Sequence, residues 1–164
     1  MIKLLIFDVD GCLTDGSIIY GGTNDEYKAF NVKDGLAIAS WSRLGFKSAI
    51  ITGRNSKVVE RRAKELHITH LHQGIKDKKA MLEEILKKEN LTWENVAAIG
   101  DDLNDYNMLK SVGWSFSPND GVDLIKKNVT TVLNTCGGKG AVREMIDLII
   151  KKEELEERFL KLWQ

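Results

Sequence analysis

Short β-rich apolar runs alternate along this chain with segments in which apolar residues return every three or four positions. The runs Lys3 to Val9, Lys47 to Thr52, Ile68 to His72 and Val96 to Gly100 predict the main strands. Gly35 to Leu44, Ser56 to Leu66 and Lys78 to Lys88 predict helices, with Leu82, Ile85 and Leu86 marking one apolar face. Weaker strand signals follow at Trp114 to Ser117 and Thr130 to Leu133. Such alternation is the signature of an α/β fold, a doubly wound parallel sheet with helices on both faces. The exception is Ser17 to Val32, where two β-like runs flank the turn-rich Gly21 to Asp25 and predict an inserted β-hairpin. From Ala141 to Trp163 one long amphipathic helix is expected, its apolar face including Met145, Ile149, Phe159 and Trp163.

The 164 residues suit one domain spanning 1–164, with no room for a second. Its 24 acidic and 24 basic side chains cancel, so no long-range basic field argues for nucleic acid or an anionic membrane as partner. Cys12 and Cys136 have no metal-type spacing. With no apolar span of membrane length and no signal peptide, the expected compartment is the reducing cytoplasm.

The first strand stops on the run FDVDGCLTD, three carboxylates and a glycine between Phe7 and Asp15. Close carboxylates repel unless something positive lies between them, and a divalent cation with oxygen ligands is the simplest answer. An exposed turn is the plain alternative. In a parallel sheet the carboxyl ends of the strands lie at one edge, so distant strand ends can be summed into one site. The first gives Asp8 and Asp10, and the second, SAIITGR, gives Thr52 and Arg54. Lys78 follows the third, and the fourth, AAIGDDLND, gives Asp101, Asp102 and Asp105. The inventory is that of metal ligands plus phosphate donors. Asp101 is the firmer ligand candidate; Asp105, four residues on, could act through water, and both could instead cap a helix.

Taken in order, DVDG, ITGR, a lysine after QGIKD, and GDDLND resemble the motifs of the haloacid dehalogenase superfamily of phosphohydrolases. FNVKDG at 30–35, THLHQG at 69–74 and GGKGAVRE at 137–144 resemble the cap-less branch that dephosphorylates 3-deoxy-D-manno-octulosonate 8-phosphate, in lipopolysaccharide precursor synthesis. The resemblance implies Asp8 as nucleophile and Asp10 as the acid that protonates the leaving sugar oxygen and then activates water. It implies Mg2+ held by Asp8, the Asp10 carbonyl and Asp101, with Thr52 and Lys78 neutralising the phosphoryl group. Substrate recognition would fall to Arg54 and Arg62, to the helix entrance Asn31, Val32, Lys33, Asp34 and Gly35, and to Asp10 and Lys78.

No insertion is large enough to form the cap domain that such phosphatases commonly use to choose substrates. The branch resemblance implies a homotetramer in which hairpins pack together and a neighbouring subunit roofs the crevice. By the same resemblance, arginine at position 54, where related nine-carbon sialic-type phosphatases tend to carry glutamate, favours the eight-carbon sugar acid over a nine-carbon 9-phosphate, and a non-catalytic assembly module is the other alternative. A phospho-receiver domain would need an aspartate ending the third strand, where His72 and Gln73 stand. Gly137, Gly138 and Gly140 could cradle an anion or form a plain connection, and a thiol at Cys12 suggests oxidant sensitivity.

Overall fold

The computed structural model describes residues 1–164. Its strands are β1 (Leu4–Phe7), β2 (Ile19–Tyr20), β3 (Glu26–Tyr27), β4 (Lys47–Ile51), β5 (His70–His72), β6 (Val96–Ile99), β7 (Trp114–Ser117) and β8 (Thr131–Val132). Its α-helices are α1 (Val32–Arg43), α2 (Lys57–Glu65), α3 (Lys78–Glu89), α4 (Tyr106–Leu109), α5 (Asp123–Lys126), α6 (Ala141–Lys152) and α7 (Glu156–Lys161). Six strands form one sheet in the order β5-β4-β1-β6-β7-β8, every neighbouring pair parallel, and β2 and β3 pair antiparallel on their own. The fold is the expected doubly wound parallel sheet with an inserted hairpin and no cap domain.

Strand pleating divides the core. Leu5, Phe7, Ile50 and Ile99 face one layer, where Ala37, Ile38 and Trp41 of α1 and Met145, Ile146 and Ile149 of α6 cover them. Leu4, Ile6, Ala49, Ile51 and Ala98 face the other, under Leu82 and Ile85 of α3 and Met108 of α4. Both faces of β1 are therefore buried, and its carboxyl end can emerge only at the sheet edge. Strand order reverses at β1, with β4 on one side and β6 on the other, so the ends of these three strands open on one crevice.

Two expected elements differ. The long C-terminal helix is broken into α6 and α7: Glu154 takes φ +57°, and Leu155, 4% exposed, turns in to the core and redirects the chain. Phe159 packs at the core margin, whereas Trp163 is exposed with Arg43 over its ring. Helix α1 also starts earlier than Gly35, because the Asn31 side chain accepts from the Lys33 and Asp34 amides and caps it at Val32.

Candidate active site

β1 hands the chain to a single wide turn, Val9–Leu13, closed by the Thr14 amide donating to the Val9 carbonyl. Gly11 sits there at φ +95°, and a Cβ on it would lie 2.1 Å from Asp101 Oδ2. Only glycine lets the carboxylate after β6 approach the turn after β1 so closely. The turn is also propped from behind. The Gly138 amide donates to the Cys12 carbonyl at 3.0 Å, and a Cβ on Gly137 would fall 1.8 Å from the Gly11 carbonyl oxygen. Gly137 itself donates to Asp120 Oδ1 at 2.9 Å. The glycine-rich stretch thus packs backbone to backbone against the turn, a fixed support rather than an anion cradle.

Asp8, 4% exposed, ends β1 and is joined by Lys78 from the first turn of α3. Lys78 Nζ donates at 2.6 Å to Asp8 Oδ1 and at 2.6 Å to Asp105 Oδ1, with none of its side chain exposed. Burial works against the ammonium, but Asp8 and Asp105 more than restore it and hold Lys78 above its ordinary range. One ammonium serves several acids, so burial and the Asp105 charge still push the Asp8 carboxyl upward. Asp105 is fully buried, and its second oxygen accepts from the Asp101 amide at 3.0 Å. Asp105 thus bonds Lys78 with one oxygen and the loop after β6 with the other. Asp102 caps the next turn through Leu103 and lines the cavity.

A cavity of about 280 Å³ opens here, lined by Asp8, Asp10, Thr52, Arg54, Asp101 and Asp102, with Gly16, Gly53 and Asn104. Ligand atoms of Asp8, Asp101 and Cys12 all lie within 4.8 Å of one another. Burial and then Asp105 raise the Asp101 carboxyl to about 7. Two crowded carboxylates beside the Asp10 backbone are an oxygen donor set that suits Mg2+, a hard cation that keeps several waters. Cys12 is completely buried; burial and then Asp8 push its thiol well up, so the expected oxidant-sensitive thiolate is disfavoured.

Two of the lining residues, Asp10 and Arg54, are met from behind by β3 and the residue after it. Lys28 Nζ lies 2.5 Å from Asp10 Oδ1 and 3.3 Å from Glu26 Oε1. Arg54 Nη2 reaches Glu26 at 3.1 Å, and its Nε stands 3.9 Å from Asp10 Oδ2. Burial of Glu26 is outweighed by its hydrogen bonds and these cations, which keep the carboxyl low. Glu26 and Lys28 were not singled out by motif. Their only signal is alternation, Glu26, Lys28 and Phe30 falling at every second residue of an extended run.

The other expected recognition residues lie elsewhere in this single chain. Arg62 lines a separate cavity with Phe30, Val32, Val58, Arg61 and Glu65, and Gly35 lies beneath its guanidinium. Asp34 points into the seam between α1 and α6, where it accepts from the Arg143 amide at 2.7 Å. Val32 and Lys33 are exposed, and Asn31 Oδ1 is occupied as a cap.

A family model described as haloacid dehalogenase-like hydrolase matches residues 71–146. Over 149 residues the chain is 44% identical to the 3-deoxy-D-manno-octulosonate 8-phosphate phosphatase KdsC of Escherichia coli strain K12, covering 91% of this chain and 79% of that protein. The phosphatase of that name from Moraxella catarrhalis, solved with a magnesium ion, a phosphate ion and KDO, superposes with a TM-score of 0.95 at 41% identity, over 99% of this chain and 94% of that one. A cobalt-bound deoxy-D-mannose-octulosonate 8-phosphate phosphatase from Haemophilus influenzae gives 0.88 at 38% identity, over 92% and 88% of the two chains.

Proposed function

The chain belongs to the haloacid dehalogenase-like hydrolases and, within them, to the family of 3-deoxy-D-manno-octulosonate 8-phosphate phosphatases, and from that membership we propose its reaction. It is a Mg2+-dependent phosphatase that converts 3-deoxy-D-manno-octulosonate 8-phosphate to octulosonate and phosphate, with residues 1–164 acting as one catalytic domain. The observation that carries this reading is the convergence of Asp8, Asp10, Thr52, Arg54 and Asp101 on one small polar cavity at the strand ends.

The chemistry divides between the carboxylates. An oxygen of Asp8 attacks phosphorus, and the ester bond breaks as Asp10 gives its proton to the leaving sugar oxygen. Asp10 then takes a proton from water, which attacks the aspartyl phosphate, releases inorganic phosphate and regenerates Asp8. Lys78 keeps the Asp8 carboxylate fixed through Oδ1 and leaves its other oxygen for the substrate side. Thr52 and the Gly53 amide, both at the cavity, would donate to phosphoryl oxygens. Asp8, Asp101 and the Asp10 carbonyl would hold Mg2+, which supplies charge neutralisation at the phosphoryl oxygens. Arg54 would receive the sugar-acid carboxylate.

The hairpin also bears on assembly. Ile18, Ile19, Tyr20 and Tyr27 leave 48%, 46%, 79% and 57% of their surface exposed. Such a patch suits packing against copies of itself, and it supports a homotetramer in which a neighbour roofs the crevice; the proposed compartment is the cytoplasm. Arg62, remote from the cavity of its own chain, would then meet substrate only across such a contact. No helix is long and apolar enough to cross a membrane.

The test is a panel of sugar phosphates assayed with and without Mg2+ on the parent and on Asp8→Asn. Hydrolysis that needs both Mg2+ and Asp8, fastest on the octulosonate phosphate, is expected. Equal rates for parent and variant on every ester would refute the enzyme. Preference for the nine-carbon 9-phosphate would overturn the choice of substrate alone.

A further inference from the structure

On the phosphatase reading, Asp10 must face the leaving oxygen with its side chain while only its carbonyl serves the cation. The one hydrogen bond to that side chain comes from the hairpin, and Arg54, beyond β4, stands 3.9 Å from its other oxygen. Lys28 Nζ is 2.5 Å from Asp10 Oδ1, and the lysine side chain is only 1% exposed. That burial is unusual, because Lys28 directly follows a strand two residues long whose Tyr27 is largely open to solvent. A lysine ordinarily keeps its ammonium in water. Here Asp10 and Glu26 take the place of water, and Glu26 ties the same cluster to Arg54 at 3.1 Å.

We propose that Lys28 is a positioning residue of this phosphatase. Its ammonium holds the Asp10 carboxyl on the hairpin side of the cavity, facing the leaving group, and Glu26 fixes Lys28 and Arg54 as one wall of the substrate pocket. The hairpin then has an inward task besides its outward apolar face. Without the cation Asp10 is free to turn toward the other acids' side of the cavity. With Lys28 on Oδ1, the proton that Asp10 gives up is carried on Oδ2, and the step that suffers is its passage to the ester oxygen as the P–O bond breaks. That loss depends on the leaving group: a sugar alkoxide needs the proton, whereas p-nitrophenolate leaves well without it.

The experiment is single-turnover release of the leaving group in Mg2+ for the parent, Lys28→Met, Lys28→Arg and Glu26→Gln. Each is measured on octulosonate 8-phosphate and on p-nitrophenyl phosphate. For Lys28→Met the ratio of the two rates, sugar ester over aryl ester, should fall about 10- to 100-fold, less than the full worth of a placed general acid because Asp10 itself is kept. Lys28→Arg should restore most of the ratio, and Glu26→Gln should lower it less, in the same direction. An unchanged ratio in Lys28→Met, whether both rates drop together or neither does, overturns the inference and leaves the phosphatase reading standing. A parent that releases neither leaving group overturns the phosphatase reading itself.

Discussion

Two lysines in this molecule are each clamped between carboxylates, and the clamps are built differently. Lys78 stands between Asp8 and Asp105 at 2.6 Å from both, with 0%, 6% and 0% of these side chains exposed. Asp8 directly follows β1 and Asp105 lies in the loop beyond β6, so the triad is built at the sheet's edge. Lys28 stands between Asp10 and Glu26, which are 22% and 19% exposed, on a hairpin whose strands pair over two residues each. The first clamp is held by the core and, on the proposed mechanism, fixes the group that attacks. The second is held by little besides its own charges and, on the same mechanism, positions the group that transfers the proton. That mechanism therefore puts the more rigid support behind the attacking group.

The largest expected effect is on the inner clamp. Lys78→Met removes the only cation within hydrogen-bond reach of Asp8 and leaves two carboxylates buried side by side. Breaking such a pair typically costs about 3–5 kcal/mol, much of it from the charges left behind. Turnover should vanish, and the urea midpoint should fall sharply. Adding Asp105→Leu should recover part of the stability and none of the activity. A Lys78→Met protein as stable as the parent would show that the inner clamp is no more structural than the outer one.

The inner clamp was half visible in the sequence. A lysine after the third strand and acids after the first and fourth were readable, because strand ends in a parallel sheet share an edge and the apolar runs locate those ends. What Lys78 would bond to was not readable. Asp105 carries the same carboxylate as Asp101, and only the loop geometry turns one into the lysine's partner and leaves the other at the cavity. The outer clamp was hidden, since Lys28 belongs to no spaced motif and a charge in a hairpin reads as solvated. The break at Glu153 to Leu155 was hidden for a different reason. The run KKEELEER is made of good helix formers, and tertiary burial of Leu155, not local propensity, bends the chain.

A carboxylate buried without any lysine sharpens the contrast at intermediate size. Asp34 is 2% exposed; its Oδ1 takes the Arg143 amide, while its Oδ2 has no hydrogen-bond partner. Burial raises its carboxyl to about 6, against the pull of that amide, Arg62 and Arg143. The folded protein therefore holds this proton more tightly than the unfolded chain, whose ordinary value is 3.8. Between these two values the native state binds more protons, so stability falls as pH rises, and the penalty is complete above the folded value. Asp34→Asn cannot ionise. Its stability relative to the parent should climb from about pH 4 to about pH 6 and level off above, as read from urea midpoints across that range. A flat difference would mean that Arg62 and Arg143 already compensate the charge.

The smallest effect belongs to the outer clamp's stability. Glu26→Gln keeps the shape and removes one charge from a cluster in which Arg54 is 43% exposed. Water and salt screen such pairs, whose net worth lies at about 0–1 kcal/mol, so the urea midpoint should barely move. The same substitution is expected to lower the sugar-to-aryl rate ratio, because the geometry of Lys28 and Arg54 changes even where the free energy of folding does not. Stability and selectivity are thus separable at this position, whereas at Lys78 they fall together. A large loss of stability in Glu26→Gln would make the hairpin cluster a second structural core, and the functional division between the two lysines would then fail.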